Sequence, residues 1–324
     1  MGVKRKIKKA AGADVVLLSQ AYEEFETEKI AKNLSNSTIH NYRVSYELFT
    51  AYHEYTDETP ITEITLSDFY EWQGNMKVEG VAIASINHYL RDLRCFFYWC
   101  MNPDRKYIDP PFKIELVKGQ EESLKIFTDE EIDLLLDKPK SRDSFTDWRT
   151  WTIISWVLAT GNRAATICEV KMGDVDYKSK EIHLRHTKNK KAQTIPLSSS
   201  LEVCLKEYIR IWRKEAGAEE WLFPNVGEEQ LTTNALRHSF SRYCAARGVD
   251  KSNIHGLRHS FARAWIRNNG STFQLQKILG HSTLEMTRRY VRLFSEDLKQ
   301  DFDKFSPLDN IKKNSKRTKT ISRN

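Results

Sequence analysis

Apolar residues three and four apart run through most of this chain, and prolines break that rhythm in one region. Ile86, Leu90, Leu93, Phe97 and Cys100 form the clearest stripe. Such spacing gathers side chains on one face of an α-helix, so the segment must be helical and must bury that face. Its opposite face carries Asn87, Arg91 and Arg94, free to meet solvent or phosphate. The stripe stops at Asn102-Pro103-Asp104, and Asp109-Pro110-Pro111 follows. Proline has no amide proton and clashes with the preceding turn, so neither site continues a helix. With Lys118 and Lys125 behind them, these prolines mark a linker.

Helical signals lie on both sides. Ser35 and Asn36 can cap a helix in which Ile39, Tyr42, Tyr46, Phe49 and His53 recur. Beyond the linker, Thr128-Asp129-Glu130-Glu131 is a capping box ahead of Ile132, Leu134 and Leu135. A long apolar helix, about Trp148 to Thr160, ends at Gly161, which suits a left-handed C-terminal cap. The period then changes. Residues 181–185 and 193–197 alternate around the basic turn Thr187-Lys188-Asn189-Lys190-Lys191, which predicts a β-hairpin. The fold class expected is mainly α with a small antiparallel β-sheet, in two domains. The boundaries read as a basic tail (1–12), an all-α domain (13–110), a linker (111–125), a larger α+β domain (126–305) and a second basic tail (306–324).

Composition narrows the class. The 324 residues are 40% apolar and include 8 Trp, 13 Tyr and 15 Phe, enough for two cores. The formal net charge of +7 fits an anionic partner, nucleic acid or a membrane surface. No apolar run approaches the roughly 20 residues of a membrane span, and the basic start lacks the apolar core of a secretion signal. Gly2 is not followed by Ser or Thr at position 6, where Lys6 stands, which argues against myristoylation. Cys95, Cys100, Cys168, Cys204 and Cys244 form no CxxC pair, so buried free thiols in a reducing compartment are expected. A cytoplasmic protein without a membrane partner follows.

One ordered set of residues carries chemistry. Cutting a phosphodiester without a metal takes a nucleophile, fixed cations on the phosphate and a proton donor for the departing oxygen. Arginine suits the phosphate because its planar fork gives two parallel hydrogen bonds and stays charged. In order, the chain offers Thr160-Gly161-Asn162-Arg163, then Lys188 in the hairpin turn, then His255-Gly256-Leu257-Arg258, whose spacing of three puts His255 and Arg258 on one helical face. Leu279-Gly280-His281 follows, and Tyr290 stands nine residues later. Each fragment has a bland alternative. Thr-Gly-x-Arg is commonly a helix cap with a surface arginine, and Tyr290 falls in a core pattern with Met286 and Leu293. His259, directly after Arg258, reads as facing elsewhere in a structural hydrogen bond. Asp174 and Asp176 lack a third carboxylate at ligand spacing and read as a turn rather than a metal site. His255, His259 and His281 without cysteine partners make no zinc pattern.

The ordered combination resembles the tyrosine recombinases, the phage integrase family. Its members share the T-G-x-R turn, an aspartate-bearing segment like Gly173-Asp174-Val175-Asp176, a hairpin lysine, H-x-L-R-H, L-G-H and a tyrosine about nine residues on. The resemblance implies that Arg163 and Arg258 grip the scissile phosphate, with His255 and His281 bonding there too. It makes His255 a candidate for taking the tyrosine proton. Lys188 would protonate the leaving 5′ oxygen, and Tyr290 would form a 3′-phosphotyrosine. Neither metal nor nucleotide is implied, in keeping with the missing phosphate-loop motif. Members usually carry Glu or Asp three residues after the first arginine, where this chain has Thr166.

The resemblance also implies a two-domain clamp on duplex DNA, with Arg91, Arg94, Lys190 and Lys191 on its backbone. A tetramer on two recombination sites, accessory DNA-bending proteins, and a bacterial, phage or mobile-element setting are further implications. Leu293, Leu298, Phe302 and Phe305 suggest a last amphipathic helix, capped by Ser295, of the kind that docks on a neighbouring subunit. Three rivals stay open at this point: a type IB topoisomerase, a metal-dependent nuclease, and a catalytically silent DNA-binding relative.

Overall fold

The computed structural model describes residues 15–119, 126–140, 143–185 and 192–294, with only the backbone of residues 289 and 291–294. The chain divides into two compact units, residues 1–122 and 123–324.

The first unit holds four helices, α1 (Leu18–Ala31), α2 (Asn36–Tyr52), α3 (Leu66–Val78) and α4 (Ile83–Cys100). Ser35 caps α2 by accepting from the amide of Thr38, as its place in the sequence predicts. Every residue of the 86-90-93-97-100 stripe is buried. The core is aromatic: Phe25, Phe49, Phe69, Phe96 and Phe97 are all sealed from solvent. Phe49 stacks on Phe69 with ring centroids 4.8 Å apart and meets Phe97 edge-on. Each such ring contributes about 2–3 kcal/mol by leaving water.

The expected linker is corrected in part. Ile114 is fully buried in this first core, and Phe112, Leu116 and Val117 pack against it. Asn87, read as facing solvent or phosphate, instead clamps the main chain of Val117, donating to its carbonyl at 2.9 Å and accepting from its amide at 2.8 Å. A side-chain amide matches a peptide's donor and acceptor at once, a use that helical periodicity does not reveal. Arg91 is exposed, and Arg94 lies over the Tyr98 ring at 5.3 Å.

The second unit contains α5 (Asp129–Leu136), α6 (Phe145–Thr160), α7 (Ala164–Ile167), α8 (Ser199–Trp212), α9 (Thr233–Ala245), α10 (Ile254–Arg267), α11 (Thr272–Leu279) and α12 (Leu284–Phe294). Between α7 and α8 lies a sheet of β1 (Val175–Asp176), β2 (Glu181–Leu184) and β3 (Gln193–Pro196), antiparallel in the order β1-β2-β3. Glu181 pairs with Pro196 and Leu184 with Gln193, so β2 and β3 are the two arms of the expected hairpin. Its turn, with Lys188, Lys190 and Lys191, lies outside the described residues. So do Leu298, Phe302 and Phe305.

Helix α6 is buried on every side, with Trp148, Ile153, Ile154, Trp156 and Val157 sealed in beside Arg149, Thr150 and Thr152, so it belongs at the centre of its unit. Helices α5, α8, α9 and α10 surround it. The capping box at Thr128 and Glu131 starts α5, and Gly161 ends α6 in the left-handed conformation, φ 65°. Cys100, Cys168 and Cys244 are buried free thiols, but Cys204 is only partly covered and Cys95 is exposed, correcting the uniform expectation. Among the described residues no helix is long and apolar enough to cross a membrane.

Candidate active site

Four turns and helix ends of the second unit bring the motif residues together. The left-handed cap at Gly161 turns the chain off α6, so that Arg163 stands at the start of α7. A Cβ on Gly161 would sit 2.5 Å from Phe261 Cδ1 and 2.6 Å from Leu279 Cδ2. Only glycine therefore lets α6, α10 and α11 close on one another here. Gly280 ends α11 in the same conformation, φ 61°, and places His281 beside α10.

Arg258 is the buried centre of the cluster, 2% exposed. Its Nη1 donates to the Gly161 carbonyl at 2.7 Å and its Nη2 to the Leu279 carbonyl at 3.0 Å. Arg163 Nη1 donates to that same Leu279 carbonyl at 3.4 Å. Two guanidinium groups thus share one acceptor, and among the described residues no carboxylate hydrogen-bonds to either. Burial, reinforced by the charge of Arg163, lowers Arg258 to about 10. Burial also lowers Arg163. Both remain cationic near neutrality, and a buried cation such as Arg258 is costly unless an anion joins it.

His281 completes the inner face. Its Nε2 lies 2.8 Å from Arg258 Nη2, and its Nδ1 lies 2.8 Å from the hydroxyl of the buried Thr287. A guanidinium only donates, so Nε2 must accept and Nδ1–H points at Thr287. Burial comes first, then the charges of Arg258 and Arg163, in pushing His281 down to about 4. It is neutral at physiological pH.

Tyr290 on α12 is 4% exposed and packs its ring against Phe261, Ala262, Leu275 and Leu279. The ring lies parallel to the His281 imidazole at 6.2 Å. The phenol also lies near the charges of Arg258 and Arg163. One partner was misread in the sequence: His259 Nδ1 lies 2.9 Å from the Tyr290 hydroxyl. Neighbours on a helix point about 100° apart, which led away from His259. The spacing of four from His255 is the signal that would have found it. The His255 and His259 rings meet edge to face at 4.7 Å, and His255, at the start of α10, is exposed. Arg163, His255, Arg258, His281 and Tyr290 thus gather within one site, and Lys188 lies outside the described residues.

Thr166 is buried, 8% exposed. Asp174 is engaged elsewhere, accepting from Arg185 Nε at 2.5 Å and the Lys171 amide at 2.8 Å. Asp176 accepts from the amides of Lys178 and Ser179, the turn role expected of it. Among the described residues no group of three or more His, Cys, Asp or Glu is placed to hold a metal ion.

Known proteins resemble this chain over most of its length. The model of the phage integrase family matches residues 125–297, more than half of the chain, and that of the phage integrase N-terminal SAM-like domain matches residues 23–103. The chain is 26% identical over 287 residues to the tyrosine recombinase XerC of Thermodesulfovibrio yellowstonii, covering 86% of this chain and 93% of the relative. Its fold is similar to that of the Tn1549 transposon integrase in complex with a circular intermediate DNA, with a TM-score of 0.67 and 20% identity over 85% of this chain and 94% of the other. It is also similar to a lambda integrase tetramer bound to a Holliday junction, with a TM-score of 0.65 and 17% identity over 86% and 78% of the two chains.

Proposed function

Because the chain belongs to the phage integrase family, we propose that it is a site-specific DNA recombinase that cuts and rejoins duplex DNA through a covalent bond between Tyr290 and a 3′ phosphate. The observation that carries this reading is the convergence of Arg163, Arg258 and His281 around the Tyr290 phenol. The carbonyls of Gly161 and Leu279 hold the Arg258 fork in one plane, so its remaining donors are oriented before substrate arrives. Arg163 and Arg258 bind the non-bridging oxygens of the scissile phosphate. The exposed His255 bonds to the same group, and His281 joins it once its Nε2 carries a proton in place of the bond it accepts from Arg258. The phenol attacks phosphorus, and Lys188 protonates the departing 5′ oxygen. Gln193, five residues beyond Lys188, supports that role: its amide donates to the carbonyls of Lys277 and Ile278, beside the Leu279 hub. Five residues reach at most about 17 Å. The phosphodiester's energy is kept in the phosphotyrosine, so rejoining needs neither ATP nor a metal.

Arg91, Arg94, Lys190 and Lys191 serve the DNA backbone. Exchange of four strands calls for a tetramer on two sites; lambda integrase is described as a tetramer bound to a Holliday junction. Integration, excision or resolution of a mobile element or replicon is the biological outcome of such a reaction, in the cytoplasm of the host cell.

The test is a nicked suicide duplex carrying a site selected from random DNA by the protein itself. Wild type is expected to form a denaturant-stable DNA adduct in EDTA, and Tyr290→Phe none. Equal behaviour of the two proteins would identify a catalytically silent DNA-binding relative instead, and loss of cleavage in EDTA a metal-dependent nuclease.

A further inference from the structure

We propose that His259 is the group that takes the proton from Tyr290, a role that the sequence pattern assigns to His255. The inference rests on the recombinase reading and deepens it. Its basis is geometric. His259 Nδ1 is 2.9 Å from the Tyr290 hydroxyl, with the ring centroids 5.6 Å apart. The charges of Arg258 and Arg163 lie near the phenol. In the tautomer that leaves Nδ1 unprotonated, the phenolic O–H donates to it and the hydrogen bond runs in the direction of proton transfer. His259 is half-buried on α10, one turn from His255, whose exposed ring packs edge-on against it. His255 lies on the open side, where a phosphate would arrive, and His259 lies on the side of the nucleophile.

Among the described residues, the charged and titratable groups near this pair are His255 and Arg258 on α10, Arg163 after α6 and His281 after α11. In cleavage, the phenolic O–H bond breaks and its proton goes to His259 Nδ1. The oxygen pair forms the bond to phosphorus, and the phosphorus–5′ oxygen bond breaks. The 5′ oxygen leaves with its electron pair and is protonated by Lys188. In rejoining, the 5′ hydroxyl attacks phosphorus and gives its proton back to Lys188, the bond between phosphorus and the Tyr290 oxygen breaks, and the released phenolate recovers its proton from His259.

The test compares wild type, His259→Ala, His259→Asn and Tyr290→Phe on the nicked duplex and on the same duplex with a 5′-bridging sulfur. Sulfur leaves without a proton, so any remaining rate defect belongs to the nucleophile. Asparagine sets an acceptor oxygen where Nδ1 stands, yet it cannot hold a proton. General-base catalysis is worth roughly 10²–10⁴-fold. Both His259 variants are therefore expected to bind DNA and melt like wild type and to form adduct at least about 100-fold more slowly. The sulfur substrate should not rescue them. Their rates should climb with pH toward the ordinary tyrosine value of about 10, whereas the wild-type rate levels off earlier. Wild-type speed and pH profile in His259→Asn would overturn the proposal, leaving His259 as a positioning residue. An absent adduct in wild type would instead sink the recombinase reading on which it stands.

Discussion

At the scale of single residues, the site is a cluster of like charges awaiting an anion, and His281 reports that most directly. Burial and two guanidinium groups hold it down to about 4, against about 6.5 in an unfolded chain. Between those values the unfolded chain binds the proton and the folded one does not. The native state is therefore fully favoured above about pH 6.5 and loses stability as pH falls toward 4. The melting temperature should drop across that window in wild type and more shallowly in His281→Asn; parallel curves would contradict the assignment. The identities of Arg163, His255, Arg258, His281 and Tyr290 were readable because each sits in a short motif with fixed spacing. Their partners were not. That the Leu279 carbonyl serves two arginines, or that Thr287 orients His281, depends on contacts between residues more than a hundred positions apart in one case and on tautomer chemistry in the other.

At the scale of elements, the site hangs on two left-handed glycines that end α6 and α11. Gly161 is the more demanding, because an added methyl would enter both Phe261 and Leu279. Unfavourable φ and overpacking together predict that Gly161→Ala costs about 2–4 kcal/mol. Urea unfolding of the intact chain measures this, and a loss under about 1 kcal/mol would mean that α10 and α11 yield easily. Helix α6, the hairpin arms β2 and β3 and the capping box of α5 could all be read in advance, since periodicity and turn chemistry are local signals. The two-residue strand β1 could not, because Val175 and Asp176 become a strand only by pairing with Ile182 and Glu181. Residues 112–117 were read as linker from the prolines before them and the lysines behind them. Their apolar side chains at 112, 114, 116 and 117 proved to be part of the first core.

At the scale of the whole molecule, the formal net charge of +7 predicts that phosphate contacts dominate DNA affinity. For a footprint of about six phosphates, binding should weaken by about 10³-fold between 50 and 200 mM salt. A titration at four salt concentrations gives the slope, and a nearly flat plot would mean that apolar contacts carry the complex. Affinity of that kind brings the duplex to the protein, but cleavage depends on spacing inside the site. There the meeting of Arg163 and Arg258 on one carbonyl has a lasting effect. Their separation is set by a peptide plane rather than by the side chains around it, and a peptide plane is the part of a protein that mutation alters least. Chains that have drifted apart at three positions in four can therefore still present their cations at the same gauge.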